Sequence, residues 1–162
     1  MTEPISIMFF CLGNICRSPL AEGLFRHKVE ERGFAESFHI ESSGTSGYHA
    51  GELPDPGSRR VAKSRLGLDI SYQRSQQLTR EHVAEFDVLV AMDAANRRAA
   101  LAWAGGKTIH LLREWEPEAR LQGTDVPDPW GGGGSQFDLV FDIVDRCCDR
   151  LLDELVERYG LD

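Results

Sequence analysis

The stretch ISIMFFCLGNICRSPLAEG, residues 5–23, decides how the rest of this chain is read. Six of the seven residues from Ile5 to Cys11 are apolar, and several are β-branched or aromatic, as in a strand buried on both faces. A helix leaves the loop. Pro19 suits a first helical position, and Leu20, Leu24, His27 or Lys28, and Glu31 form one face before Gly33 stops it, giving a span of 18–32. A strand, a short polar loop and a helix N-terminus in succession make an anion site. Backbone N–H groups converge there, and the helix dipole adds partial positive charge. Phosphate or sulfate is the natural occupant. A nucleotide-triphosphate loop would need a second glycine followed by Lys-Ser or Lys-Thr. This loop has Gly13 but no such lysine, which excludes that reading.

The loop opens on Cys11 and closes on Arg17-Ser18, with five residues between Cys11 and Arg17. A ring of amide donors around Cys11 stabilises its thiolate. A thiolate beneath a bound phosphate is an in-line nucleophile. Arg17 carries a planar fork that grips two phosphate oxygens at once. Ser18 can donate its hydroxyl to the sulfur and suits helix entry. Gly13 and Asn14 fit a sharp turn, since Asn tolerates the left-handed conformation and can brace the loop with its amide. The bare Cys-x5-Arg spacing is a weak pattern, because a cysteine ending a strand is commonly a buried structural residue. The strand before it, Gly-Asn within it, Arg-Ser-Pro at its close and the helix after it make it specific.

Outward from this stretch, strands and helices alternate. Residues 38–41 read as a short strand and 42–55 as a loop. Residues 56–65 form a helix ended by Gly67, and 79–86 a shorter helix capped by Thr79. DVLVAM, 87–92, is another buried strand, 93–103 a helix stopped by Gly105 and Gly106, and 108–112 the last strand. VPDPWGGGG, 126–134, is a loop. Ser135-Gln136-Phe137-Asp138 then has the form of a capping box. The final helix carries Phe137, Val140, Phe141, Val144, Cys148, Leu151, Leu152 and Leu155 at helical spacing. This order predicts an α/β three-layer sandwich, a parallel sheet with helices on both faces. No repeat or linker interrupts it, so one domain over 1–162 is expected.

Composition narrows the partners. The formal charge of −8 argues against nucleic acid and anionic lipid as partners, but not against a small anion in one local site. No segment approaches the roughly 20 apolar residues of a membrane span, and residues 1–4 lack the basic region of a signal peptide. The cytoplasm is the expected compartment. Cys11, Cys16, Cys147 and Cys148 form neither a secreted disulfide framework nor paired CxxC knuckles. His27, His39, His49, His82 and His110 have no metal spacing, so no metal is expected. At least one of Cys147 and Cys148 is expected to face the core, and His49 and Glu52 are candidates for a cleft rim.

These residues resemble the low-molecular-weight protein tyrosine phosphatases. CLGNICRSPLAE reproduces that family's signature loop. The similarity continues through SSGTSGY (42–48), Leu78-Thr79, FDVLVAMD (86–93) and Asp128-Pro129 followed by an aromatic residue. The resemblance implies a four-stranded parallel sheet of order 2-1-3-4 with the site at the carboxyl end of the first strand, which agrees with the switch-point rule for such sheets. It implies hydrolysis of phosphotyrosine and small aryl phosphates through a cysteinyl-phosphate, without a cofactor. Cys11 would be the nucleophile and Arg17 the phosphate clamp. Leu12, Gly13, Asn14, Ile15, Cys16 and Ser18 would complete the phosphate-binding loop, with Ser42 bracing it. Asp128 would be the general acid and then the base, because a phenolate leaves poorly unless protonated. Read from the residues alone, Asp128 fits an ordinary Asp-Pro turn equally well, and Asp125 is its local competitor.

Tyr48 and Trp130 match the aromatic walls of the family's cleft, and Leu12 an apolar contact. A flat slot over a deep anion floor suits phosphotyrosine and leaves the shorter phosphoserine out of reach of Cys11. Ile15 stands where a related protein-arginine phosphatase branch carries threonine. Cys16 matches a second loop cysteine that traps oxidised Cys11 as a reversible disulfide; a small buried filler is the competing reading. Phosphotyrosine proteins, a tyrosine kinase among them, are the expected partners, and a monomer the expected state. Two departures stand out. The family commonly places a histidine near 72–77 to brace the loop asparagine, and here 71–77 reads SYQRSQQ, leaving Tyr72 or Gln73 in its place. Where many members have two tyrosines after Asp-Pro, this chain has Trp130 and four glycines, so phosphorylation there is not expected and the acid loop has few conformational constraints. Two other functions compete. A thioredoxin-coupled arsenate reductase on the same fold needs further cysteines in a central segment, and none lies between Gly67 and Asp93. A phosphopeptide-binding module needs neither a nucleophile nor an acid.

Overall fold

The apolar run at the start becomes strand β1, Ile5–Cys11, which lies in the middle of the sheet. The structure is a computed structural model, and it describes residues 3–161. Strand β1 pairs in parallel with β2, Phe38–Gly44, on one side and with β3, Val88–Ala91, on the other. Strand β4, His110–Leu111, joins the far edge of β3, so the order is β2-β1-β3-β4. Successive β1 side chains point to opposite faces. Ile7 and Phe9 enter one core with Leu24 and Phe25 of α1, Arg17–Glu31, and with Phe141, Val144 and Leu151 of α5, Gly134–Arg158. Met8 and Phe10 enter the other with Val83 of α3, Arg80–Glu85, and Ala100 of α4, Ala94–Leu101. Helix α2, Pro56–Leu66, packs through Val61 and Ala62 on the first core. Burying a phenylalanine such as Phe9 or Phe10 contributes about 1.5–3 kcal/mol.

The start and stop signals of two helices act as the sequence suggests. Asp55 caps α2 by accepting from Gly57 N at 2.8 Å, Pro56 occupies its first turn, and Gly67 ends it at φ 63°. Thr79 caps α3 by accepting from His82 N at 3.1 Å.

Other expectations are corrected. Helix α1 is not a surface helix with one apolar stripe. It is buried almost all round from Arg17 to Phe25, because the sheet, α5 and the loop it serves enclose it. Even Lys28 is buried, its Nζ 2.6 Å from Asp145 and 2.8 Å from Asp149 on α5. Burial alone would lower the Lys28 pKa, but these two carboxylates more than offset it and the shift is upward. Pro19 falls in the first turn of α1 but is not its first residue. Residues 42–44, read as loop, extend β2 because Phe9, Phe10 and Cys11 offer them a ladder. The last strand is shorter than 108–112. Glu114 reaches back to Leu111 N at 3.0 Å and the chain turns into a single 3₁₀ turn, Leu112–Trp115. The capping box at 135–138 does not form. The extended backbone of Gly133 lets α5 begin before Ser135, which therefore lies inside the helix.

Candidate active site

Strand β1 ends at Cys11 and α1 begins at Arg17, so the loop between them must reverse within a few residues. Asn14 makes that possible at φ 56°, the one non-glycine residue with positive φ among the described residues. The loop's carbonyls are turned outward and held there. Those of Cys11 and Leu12 accept from Thr45 N and Ser46 N, each at 2.9 Å. Gly13 O accepts from Ser75 Oγ at 3.1 Å, Ile15 O from Asp55 N at 2.7 Å, and Cys16 O from Ser58 Oγ at 2.9 Å. A peptide unit is planar, so a carbonyl directed outward turns the next N–H inward. The amides of Leu12, Gly13, Asn14, Cys16 and Arg17 therefore face the centre of the loop. Asn14 N does so within 3.3 Å of Cys11 Sγ. Together with the α1 N-terminus these dipoles form an anion nest above the sulfur.

Arg17 is almost wholly buried, at 3 % exposure. Its Nη1 donates to Asp93 Oδ2 at 2.7 Å and to Val126 O at 3.0 Å. Nε has no partner though it is buried, and Nη2 lies 3.8 Å from Asp128 Oδ2. One edge of the fork is thus anchored and the other is left for a ligand, because a buried unpaired N–H is costly unless something occupies it. Burial alone would lower the Arg17 pKa, but Cys11, Asp93 and Asp128 more than offset it and the shift is upward.

The loop asparagine is braced by a connected set of side chains. Asn14 Oδ1 accepts from Gln76 N at 3.0 Å, and Nδ2 donates to Ser18 Oγ at 2.8 Å and to Ser42 Oγ at 3.0 Å. Ser42 donates to Glu22 Oε1 at 2.8 Å, and Tyr72 OH donates to Glu22 Oε2 at 3.1 Å. Gln73 Nε2 donates to Pro19 O at 2.9 Å and to Tyr72 OH at 3.3 Å. Tyr72 and Gln73 both enter this network. Tyr72 reaches Asn14 indirectly, through Glu22 and Ser42. Burial raises the Glu22 pKa, opposed by Ser42, Arg26 and Tyr72. Burial and the Glu22 charge push the Tyr72 phenol up to about 12.

A cavity of about 440 Å³ opens above the loop, lined by Cys11, Leu12, Arg17, Tyr48, Asp128 and Trp130 among others. Cys11 at its floor is 2 % exposed, while Tyr48 at 84 % and Trp130 at 63 % stand at its mouth. The two aromatics stand beside the slot, not packed in a core. His49 also lines the cavity, its ring 4.8 Å from that of Tyr48 and its Nδ1 3.0 Å from Glu52. The structure separates the two acid candidates. Asp128 lines the cavity, with Oδ1 accepting from Trp130 N at 3.1 Å. Asp125 instead accepts from Ala94 N at 2.9 Å at the start of α4. Ser18 lies within the first turn of α1 and does not cap it, because the helix begins one residue earlier; its hydroxyl is 3.0 Å from Cys11 Sγ. Cys16 also lines the cavity, and burial, then Asp55 and Cys11, push its thiol pKa far up. Cys147 and Cys148 are both wholly buried, and both pKa values are raised by burial, that of Cys147 to about 12.

Sequence reasoning missed Asp93 as the anchor of Arg17, Glu22 and Gln76 as braces, and Gly44. A Cβ on Gly44 would lie 2.7 Å from Leu12 O and 3.0 Å from Asn14 N, so only glycine lets β2 back the loop this closely. Asp93 carried a faint signal, an aspartate ending a buried strand just before a helix.

The chain matches the family profile described as low molecular weight phosphotyrosine protein phosphatase over residues 6–159. It is 35 % identical over 154 residues to the Homo sapiens protein named low molecular weight phosphotyrosine protein phosphatase, covering 92 % of this chain and 94 % of that one. It is 34 % identical over 149 residues to the Bacillus subtilis protein named low molecular weight protein-tyrosine-phosphatase YfkJ, covering 91 % and 94 %. A crystal structure of protein tyrosine phosphatase from Entamoeba histolytica, with Hepes in the active site, superposes with a TM-score of 0.88 at 32 % identity, over 96 % of this chain and 99 % of that one. With its sheet order, its loop and these relatives in agreement, this chain belongs to the low molecular weight phosphotyrosine protein phosphatase family and is a phosphatase.

Proposed function

We propose that this enzyme hydrolyses phosphotyrosine and small aryl phosphates through a cysteinyl-phosphate, as a single domain spanning 1–162. The observation that carries the reading is Cys11 beneath inward-facing amides, with the unpartnered Nε of a buried Arg17 beside them. The phosphate would sit in that nest with two oxygens on the free edge of Arg17. The Cys11 thiolate attacks phosphorus in line while the P–O bond to the phenol breaks. Asp128 delivers its proton to the departing phenolate oxygen. The products of this step are the free phenol, the cysteinyl-phosphate and the Asp128 carboxylate. Asp128 then takes a proton from water as its oxygen attacks phosphorus, the S–P bond breaks, and inorganic phosphate leaves with the thiolate restored. Fixed amide dipoles and the Arg17 fork bind the trigonal-bipyramidal phosphoryl group without reorganising, which is the main source of rate.

The mouth of the cavity supports the substrate class. Tyr48 and Trp130 flank the slot and Leu12 is exposed beside it, a shape suited to a flat aromatic ring standing on a deep anion site. Ile15 in the loop favours phosphotyrosine over phosphoarginine. Phosphotyrosine proteins, including a tyrosine kinase, are the proposed partners, and phosphate or sulfate the competing ions. Four free thiols suit a reducing compartment, and we place the protein in the cytoplasm as a monomer. Cys16, beside Cys11 in the cavity, would be the thiol that traps oxidised Cys11.

The deciding experiment is turnover of phosphotyrosine, phosphoarginine and phosphoserine peptides by wild type, Cys11→Ser and Asp128→Ala. The expected result is hydrolysis of phosphotyrosine alone, loss of turnover but not of phosphate binding in Cys11→Ser, and in Asp128→Ala a loss greatest for poor leaving groups. Turnover retained in Cys11→Ser would refute the nucleophile.

A further inference from the structure

A second concavity, of about 400 Å³, opens along α2 and is lined by Arg59, Arg60, Lys63, Asp69 and Ser71 among others. Its charge is opposite to that of the molecule, whose formal net charge is −8. Arg65, on the same helix, bonds Asp142 at 2.6 Å. Among the described residues Arg59, Arg60 and Lys63 form no ion pair. The one carboxylate in the concavity, Asp69, has its Oδ1 taken by Ser71 N at 2.9 Å and Ser71 Oγ at 2.6 Å. Arg59 and Lys63 stand four residues apart on the helix, a like-charge spacing that destabilises it. Arg59 closes the first turn of the helix, where the dipole disfavours a cation, whereas Lys63 lies in the last turn, where it favours one.

The two guanidinium groups are also held in place. Arg59 Nε donates to Pro54 O at 2.9 Å, and Arg60 Nη2 reaches Gly134 O at 3.4 Å, leaving their other N–H groups available. The start of the helix that lines this concavity also holds the active-site loop, where Asp55 N and Ser58 Oγ bond the loop carbonyls of Ile15 and Cys16. At about 1.5 Å per residue, Lys63 lies about 8 Å along the helix from Ser58.

We propose that this concavity docks an acidic segment of the phosphoprotein substrate, a run of Asp or Glu flanking the phosphotyrosine. The proposal rests on the phosphotyrosine reading above. A strongly acidic enzyme repels acidic peptides in general, so a local cationic groove beside the site selects those that present their carboxylates at the right spacing. An extended peptide covers about 3.3 Å per residue, so six residues on either side of the phosphotyrosine form a window of about 20 Å, longer than the stretch of α2 from Ser58 to Lys63.

The test compares phosphotyrosine peptides that carry six glutamates or six glutamines in that window, on either side in turn, using wild type and Arg60→Glu/Lys63→Glu. In wild type one glutamate peptide has a KM about 3- to 10-fold below its glutamine counterpart, and the gain fades as salt shortens the Debye length. In the variant the gain disappears, while turnover of phenyl phosphate is unchanged and shows that the site is intact. Equal KM values for glutamate and glutamine peptides in wild type, or a gain that survives the charge reversal, would overturn the proposal. Anisotropy of a fluorescent hexaglutamate peptide without phosphotyrosine separates this from the reading of the active site. Binding that persists in vanadate and is lost in the variant supports docking on α2, and displacement by vanadate overturns it. Failure of wild type to hydrolyse any phosphotyrosine peptide would instead sink the catalytic reading.

Discussion

Ser18 Oγ lies 3.0 Å from Cys11 Sγ, and the surrounding bonds leave it a single proton to give. Asn14 Oδ1 accepts from Gln76 N, so its amide nitrogen must donate to Ser18 and Ser42. Ser18 Oγ is therefore an acceptor toward Asn14, and Cys11 Sγ and Ser43 O, at 3.2 Å, compete for its hydrogen. A negative sulfur is the stronger acceptor. Ser18→Ala removes that donor, and with it one of the two acceptors of Asn14 Nδ2. It is expected to slow alkylation of Cys11 by iodoacetamide at neutral pH and to lower kcat about 10- to 100-fold, since a hydrogen bond to a charged group contributes about 1.5–3 kcal/mol. Unchanged alkylation would mean that the proton goes to Ser43.

Asp93 holds Arg17 with Oδ2 and caps α4 with Oδ1, which accepts from Asn96 N at 2.8 Å. Asp93→Asn can keep the cap but presents an N–H₂ to the Arg17 Nη1 donor. The expected result is a small change in melting temperature with a roughly 10- to 100-fold loss of vanadate affinity and of kcat/KM. A large loss of stability with normal vanadate affinity would show that the cap matters more than the clamp.

Gly44→Ala places a methyl group against the Leu12 carbonyl and the Asn14 amide, both backbone atoms of the loop. Because backbone cannot rotate away as a side chain can, the loop must shift. More than tenfold loss of phosphate affinity is expected, with the far-ultraviolet circular dichroism preserved. Unimpaired binding would mean that β2 moves and the loop stays.

Tyr72→Phe removes the hydroxyl that donates to Glu22 and accepts from Arg26 Nε at 3.2 Å. The buried carboxylate and the Gln73 amide each lose a partner, at a cost of about 1–3 kcal/mol in urea denaturation. Tyr72→His, which restores a polar group at that position, is expected to recover part of the loss.

Glu22 contributes a pH dependence of definite sign. Its folded pKa is raised by burial, only partly opposed by Ser42, Arg26 and Tyr72, so the folded chain binds this proton more tightly than the unfolded one. Its contribution to stability is present below the ordinary glutamate value of about 4.3 and is lost as pH rises through the higher folded value. Glu22→Gln cannot titrate, so the stability of wild type relative to this variant should fall as pH rises above the ordinary glutamate value of about 4.3. Urea denaturation across that range measures it, and a difference that grows with pH would contradict the raised value.

The loop and its helix were legible because their signals are local. Asn14 needs only its own left-handed backbone, Asp55 and Pro56 specify the start of α2, and the β1 run is apolar without reference to any partner. Where the sequence misled, a tertiary partner had prevailed. α1 carries Lys28 on a buried face only because Asp145 and Asp149 come from the far end of the chain. β4 stops early because Glu114 captures Leu111 N.

By itself the sequence determined the strand–loop–helix unit, the alternation that makes a parallel sheet, and the residue types needed for phosphate chemistry. The tertiary structure alone decided how these groups are held. Arg17 is anchored from Asp93 and Val126, Asn14 from Ser42 and Gln76, and Asp128 lines the cavity while Asp125 accepts from Ala94 N at the start of α4. The physical reason is range. Backbone preference and hydrophobic periodicity act over a few residues, whereas a buried polar group takes whatever partner the packed chain brings within about 3 Å, however distant that partner is in sequence.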